Sequence, residues 1–99
     1  MNLRDPFADW RRNPFFVLEV DTTASRAEVE RAGQKLLALI AVGSTDAGHY
    51  DTPFGSAERD ADLIRQALAA LRDPRDRVLH ELWADVAAGV SEEQIESLG

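Results

Sequence analysis

Leu71-Arg72-Asp73-Pro74-Arg75-Asp76-Arg77-Val78-Leu79-His80-Glu81-Leu82 decides how this chain folds. An apolar helical stripe ends at Leu71, Asp73-Pro74 turns the chain, and a second helix begins. Proline suits a first helical position because its missing N–H would have had no partner there, and Asp73 is a good cap. Upstream, Ala57, Ala61, Ile64, Ala67, Leu68 and Leu71 recur at helical spacing, with Arg59, Asp62, Arg65, Gln66 and Arg72 opposite. The spacing predicts a helix capped by Ser56, with Arg59 rather than an acid three residues on. Glu58, Asp60 and Asp62 put negative charge in its first turns, where the helix dipole favours it. Downstream, Leu79, Leu82, Trp83 and Val86 share one face until Ala87-Ala88-Gly89 ends the helix. Ser91-Glu92-Glu93-Gln94 is a capping box, predicting a short terminal helix with Ile95 and Leu98.

Further from the turn, Ser25-Arg26-Ala27-Glu28 is a second capping box. Val29, Ala32, Leu36 and Ile40 follow as a stripe widened by Leu37 and Leu39. Gly33, mid-helix, signals close approach of a neighbour, and Gly43 ends the helix. Asn13-Pro14 opens the apolar run Phe15-Phe16-Val17-Leu18. This reads as a short helix from its cap and proline, although a buried strand has the same composition. Residues 44–56 are loop by composition. Residues 1–13 form an N-terminal arm in which Phe7 and Trp10 lie three apart, with Asp5-Pro6 as a start signal; they read as an arm covering the core or an aromatic contact surface. The expected fold class is all-α, a small domain built on an antiparallel pair (25–42 and 57–72). The organisation is an arm at 1–13, a helical domain at 14–83 and a C-terminal helical extension at 84–99.

Ninety-nine residues with 44% hydrophobic and 29% charged side chains suit one globular domain. The formal charge is −7, without a basic stripe, which argues against nucleic-acid binding. There is no cysteine, which removes disulfides, thiolate catalysis and sulfur-bound metals. No apolar run reaches the roughly 20 residues of a membrane span. The N-terminus lacks the apolar core of a secretory signal, so the expectation is a cytoplasmic protein with no membrane partner.

The ordered pieces together resemble a J-domain, the module by which DnaJ-type co-chaperones contact Hsp70. Phe15-Phe16-Val17-Leu18-Glu19-Val20 is similar to the family's Tyr-x-x-Leu-Gly-Val. The run from Ser25 to Leu36 is similar to its Ser-x-x-Glu-Ile-Lys-x-Ala-Tyr-Arg-Lys-Leu. Ile64, Ala67, Leu68 and Leu71 match the end of its third helix, and Asp73-Pro74-Arg75 with the following Asp76 matches its closing motif. The resemblance covers roughly residues 14–82. The family's His-Pro-Asp tripeptide is missing: Ala41-Val42-Gly43 stands where the count places it, and none of these supplies an imidazole or a carboxylate. Glu28, Glu30, Gly33 and Gln34 also dilute the basic face usual on the family's second helix. His49-Tyr50-Asp51 keeps His and Asp at the right mutual spacing, about eight residues late, with Tyr in place of Pro.

The expected function is therefore a non-enzymatic, J-domain-like protein-interaction module, an adaptor or assembly subunit without Hsp70 ATPase stimulation. The alternative is a divergent DnaJ-type co-chaperone using His49-Tyr50-Asp51. Candidate contact residues are Trp10, Arg12, Phe16, His49, Tyr50, Asp51, Phe54 and Trp83, each open to a core role as well. No catalytic residue, cofactor or metal is expected. His49 and His80 stand in no nucleophile motif, and Asp46, His49 and Asp51 lack further convergent ligands. The expected partner is a protein of unspecified identity, and homo-oligomerisation is left open.

Overall fold

Asp73 and Pro74 turn the chain as their chemistry dictates. The Asp73 carboxylate accepts a hydrogen bond from the Arg75 amide at 2.9 Å, and its carbonyl accepts from the Arg77 amide. The computed structural model describes residues 8–98, with side chains over 9–89. Among these residues five helices run in the order α1 (Ala8–Arg11), α2 (Pro14–Leu18), α3 (Arg26–Ala41), α4 (Ala61–Arg72) and α5 (Pro74–Leu98). Between α3 and α4 lie a 3-10 turn (Asp46–Gly48) and an antiparallel hairpin of β1 (His49–Thr52) and β2 (Gly55–Glu58). The fold is mostly helical.

Local signals account for most boundaries. Asn13 caps α2 by accepting from the Phe15 amide, and Ser25 caps α3 by accepting from the Glu28 amide. At the end of α3 the Gly43 amide bonds to Ile40 O and the Ser44 amide to Leu39 O. Gly43 adopts φ 82°, a left-handed position that glycine takes without penalty, and these two bonds form a Schellman motif.

The antiparallel pair is direct. Glu30 near the start of α3 pairs with Arg72 at the end of α4, while Gly33 in mid-α3 meets Leu68. Phe15, Val17 and Leu18 of α2 pack between them with Val29, Leu36, Ile64, Leu68 and Leu71 to form the core. The Arg72 hydrogen bond holds the Glu30 carboxyl below the usual carboxylate range, so this pair favours the fold above the unfolded pKa of Glu30 and the effect is lost as pH falls.

Three expectations are corrected. Residues 49–58 are a hairpin, so the fold is not purely α. These strands carry only Tyr50 and Ala57 as inward apolar residues, paired across the ladder, and so show too little alternation to read as strands. Pro53 and Phe54 form the tip, Gly55 takes φ 110°, and the Thr52 hydroxyl accepts from the Phe54 amide and donates to Gly55 O. Second, α4 is capped by Asp60, which accepts from the Leu63 amide at 2.8 Å; Ser56 and Ala57 belong to β2. Third, α5 continues through Gly89 and Ser91 to Leu98 without a second start. Gly89 does not take a positive φ, so it makes no stop, and alanines precede it. The proposed pairing of Phe7 with Trp10, the Asp5-Pro6 start and the side chains of Ile95 and Leu98 lie outside the described residues. Among the described residues no helix is long and apolar enough to cross a membrane.

The Gly33–Leu68 contact has a measurable consequence. A Cβ on Gly33 would come within 2.7 Å of Leu68 Cγ, and Leu68 is buried with little room to shift. Gly33→Ala gains about 1 kcal/mol of helix propensity, against about 1–3 kcal/mol of overpacking. Thermal unfolding should therefore show a Tm lowered by several degrees (about 4–8 °C per kcal/mol at this size), whereas helix propensity alone would raise it.

Candidate protein-binding surface

The apolar residues of α5 do not face the core. Leu79, Leu82 and Trp83 are 56%, 58% and 51% exposed, and Val78 and Val86 are exposed beside them. The inward face is Arg77, His80, Ala84 and Ala87, with Ala84 and Ala87 only 5% and 2% exposed. Both faces have helical spacing, so periodicity alone selects the larger side chains and points the wrong way.

Polar contacts explain the choice of face. The Asn13 amide nitrogen donates to His80 O at 3.0 Å across 67 residues, while the same side chain caps α2. Arg77 donates to the carbonyls of Thr22 and Ala24, pairs with Glu81 at 3.0 Å and lies over the Phe15 ring at 5.6 Å. Those carbonyls belong to the α2–α3 connector, so α5 is tied at once to the connector and to the cap of α2. Small alanines then let the helix approach closely. With the rotation of α5 fixed this way, the stripe from Val78 to Val86 faces water.

A groove of about 240 Å³ opens beside it, lined by Trp10, Arg12, Asn13, His80, Trp83 and Ala87, with Asp9 at its edge. The Trp10 ring meets Phe54 edge-on at 5.2 Å and Trp83 at 5.4 Å, a chain of aromatics from the hairpin tip to α5. The hairpin is held to α1 by Arg11 Nε donating to Phe54 O and by the Tyr50 hydroxyl donating to Arg11 O at 2.9 Å.

The candidate contact residues separate accordingly. Trp10, Arg12, Phe54 and Trp83 come together around this groove and its rim, with Arg12 exposed. Phe16 is half-buried and packs on the core. Tyr50 is buried, so it supports the hairpin from within and does not present itself to a partner. His49 and Asp51 are exposed and, being two apart on β1, share the face opposite Tyr50; Asp51 accepts from the Ser56 hydroxyl at 2.8 Å. Among the described residues no three His, Asp or Glu side chains group as metal ligands.

Sequence reasoning missed Arg59. It is buried, donating through Nε to Ala47 O at 2.5 Å, through Nη1 to Val17 O at 2.6 Å and through Nη2 to Glu19 at 3.0 Å. Its guanidinium also lies 5.4 Å from the centre of the Tyr50 ring. One side chain therefore joins the end of α2, the 3-10 turn and the hairpin. The signal was present as an arginine where a capping box wants an acid, directly before the better cap Asp60. Comparison with known proteins found no matching family model, no matching curated protein and no matching solved structure.

Two measurements follow from these contacts. Arg59→Met leaves the Val17 and Ala47 carbonyls without a donor at about 1–3 kcal/mol each, and denaturant unfolding should show a loss of that size. A loss below about 0.5 kcal/mol would mean the guanidinium does not hold these segments together. Burial pushes the Tyr50 phenol above its ordinary range, against the opposing charges of Arg12, Arg59 and Arg11. The folded chain thus binds that proton more tightly than the unfolded chain. This contribution is complete below the unfolded pKa of about 10 and is lost as pH rises through the folded value. As Tyr50 is the sole tyrosine, ultraviolet titration should give a higher midpoint in buffer than in denaturant, and equal midpoints would contradict its burial.

Proposed function

We propose that this chain is a non-enzymatic protein-interaction module of J-domain-like architecture that docks its partner on the outward face of α5 and does not stimulate an Hsp70 ATPase. The observation that carries the reading is the stripe Val78, Leu79, Leu82, Trp83 and Val86, a contiguous apolar surface of the kind that marks interaction sites. Trp83 and Trp10 supply aromatic anchors beside a groove with Arg12 on its rim, the residue types that dominate binding energy. The J-like element order, with a short helix, an antiparallel pair and an Asp-Pro turn into a further helix, supports the architectural part. The final turn of α3 and its cap, Ala41-Val42-Gly43, present only apolar or backbone groups where the family carries its trigger. A cytoplasmic setting belongs to the same proposal.

A second reading, a divergent co-chaperone, draws on His49 and Asp51 sharing an exposed face of β1. The two readings separate in one pair of assays. Immobilised chain, challenged with lysate of its own cells, should retain a partner, whether another protein or an untagged copy, and Leu82→Glu should weaken that retention at least about tenfold (1.4 kcal/mol). Retention unchanged by Leu82→Glu would contradict the α5 surface. ATP hydrolysis by the Hsp70 of the same organism should not rise on addition of the chain. Stimulation abolished by His49→Gln would establish the co-chaperone reading instead.

A further inference from the structure

We infer that the partner seated on the outward face of α5 is a second copy of this chain, docked antiparallel through the same stripe; this rests on the interaction-module reading above. Within the stripe, Leu79, Leu82, Trp83 and Val86 are spaced three, one and three apart, with Val78 lying outside that pattern. That pattern is unchanged when the chain direction is reversed about the midpoint between Leu82 and Trp83. Two α5 helices laid antiparallel about that point therefore place Leu79 opposite Val86 of the other copy, and Leu82 opposite its Trp83. This is the self-complementarity that a two-fold, isologous contact requires.

Charge selects the same orientation. Beyond Arg77 the chain has no Lys or Arg, and the far end of α5 carries Glu92, Glu93 and Glu96, whereas Glu81 and Asp85 sit about the two-fold point and do not discriminate. A parallel pair would set the two acidic ends against one another. The antiparallel pair instead brings the exposed Arg75 at the start of one helix towards the acidic end of the other, and it opposes the two helix dipoles. Length also suits the contact: the 25 residues of α5 span about 37 Å, and reversal about the point between Leu82 and Trp83 pairs residues 74–91 of one helix with the same residues of the other. The apolar contact is a short one, so the dimer belongs with the weaker associations, with a Kd on the order of micromolar to tens of micromolar.

Sedimentation equilibrium of the full chain from about 1 µM to about 500 µM, a range bracketing that Kd, should show the mass rise from one chain towards two. Leu82→Glu should remain monomeric throughout. Orientation is read separately. Because the chain has no cysteine, Arg75→Cys gives a unique site for a nitroxide. The antiparallel contact sets the two labelled backbone positions roughly 24 Å apart, and a parallel one roughly 10 Å apart, from the helical rise and an interaxial spacing of 8–10 Å. A chain that stays monomeric, a dimer that survives Leu82→Glu, or the short distance would each overturn the inference. A monomer whose lysate partner is still lost with Leu82→Glu overturns the dimer alone and leaves the interaction-module reading standing, whereas a monomer with no such partner removes both.

Discussion

The rotation of α5 about its own axis is fixed by Arg77 and Asn13, and the surface of the molecule follows from it. Arg77 reaches back to the carbonyls of Thr22 and Ala24 over the face of Phe15, and Asn13 bonds to His80 O while capping α2. Hydrogen bonds to a charged donor contribute about 1.5–3 kcal/mol, comparable with burying one large apolar side chain. These bonds acting together outweigh the gain from turning Leu79 or Leu82 inward, because turning them in would leave the Thr22 and Ala24 carbonyls and the Asn13 amide without their partners. The helix instead buries Ala84 and Ala87, which lets it come close enough for the bonds to form.

Arg59 does for the other end of the molecule what Arg77 does for α5. It satisfies carbonyls at the end of α2 and in the 3-10 turn, and supports the ring of Tyr50. Tyr50 in turn carries the hairpin and bonds to the backbone of α1, whose Trp10 touches both Phe54 and Trp83. The aromatic groove is thus built where α1, the hairpin and α5 meet, with Trp10 touching Phe54 and Trp83 and with Arg11 and Tyr50 bonding the hairpin to α1. Each of these guanidinium groups, Arg59 buried and Arg77 half-buried, has its donors placed on fixed acceptors, a geometry that lysine, with a single ammonium, does not reproduce.

The helices of the core were legible from sequence because each carries redundant signals. Ser25 caps α3, Gly43 ends it, the stripe of Ile64, Ala67, Leu68 and Leu71 marks α4, and Asp73-Pro74 starts α5. The hairpin was not legible, since one buried tyrosine and one alanine leave too little period to see. Nor was the orientation of α5, because hydrophobic patterning assumes that the largest apolar face turns inward, and here contacts 53 to 67 residues distant in sequence decide otherwise. Of the candidate contact residues, Trp10, Arg12, Phe54 and Trp83 gather at one place, whereas Tyr50 serves the interior. Residue type singled out all five; only the packing of the hairpin and α5 separates them.

The outward surface of α5 requires Leu79 and Leu82 to lie outside the core. Denaturant unfolding of Leu79→Ala and Leu82→Ala, each at a chain concentration low enough to keep it monomeric, measures this directly. Exposed positions should change the stability by no more than about 0.5 kcal/mol. A loss of about 2–5 kcal/mol, the cost of truncating a core leucine, would show that α5 is turned the other way.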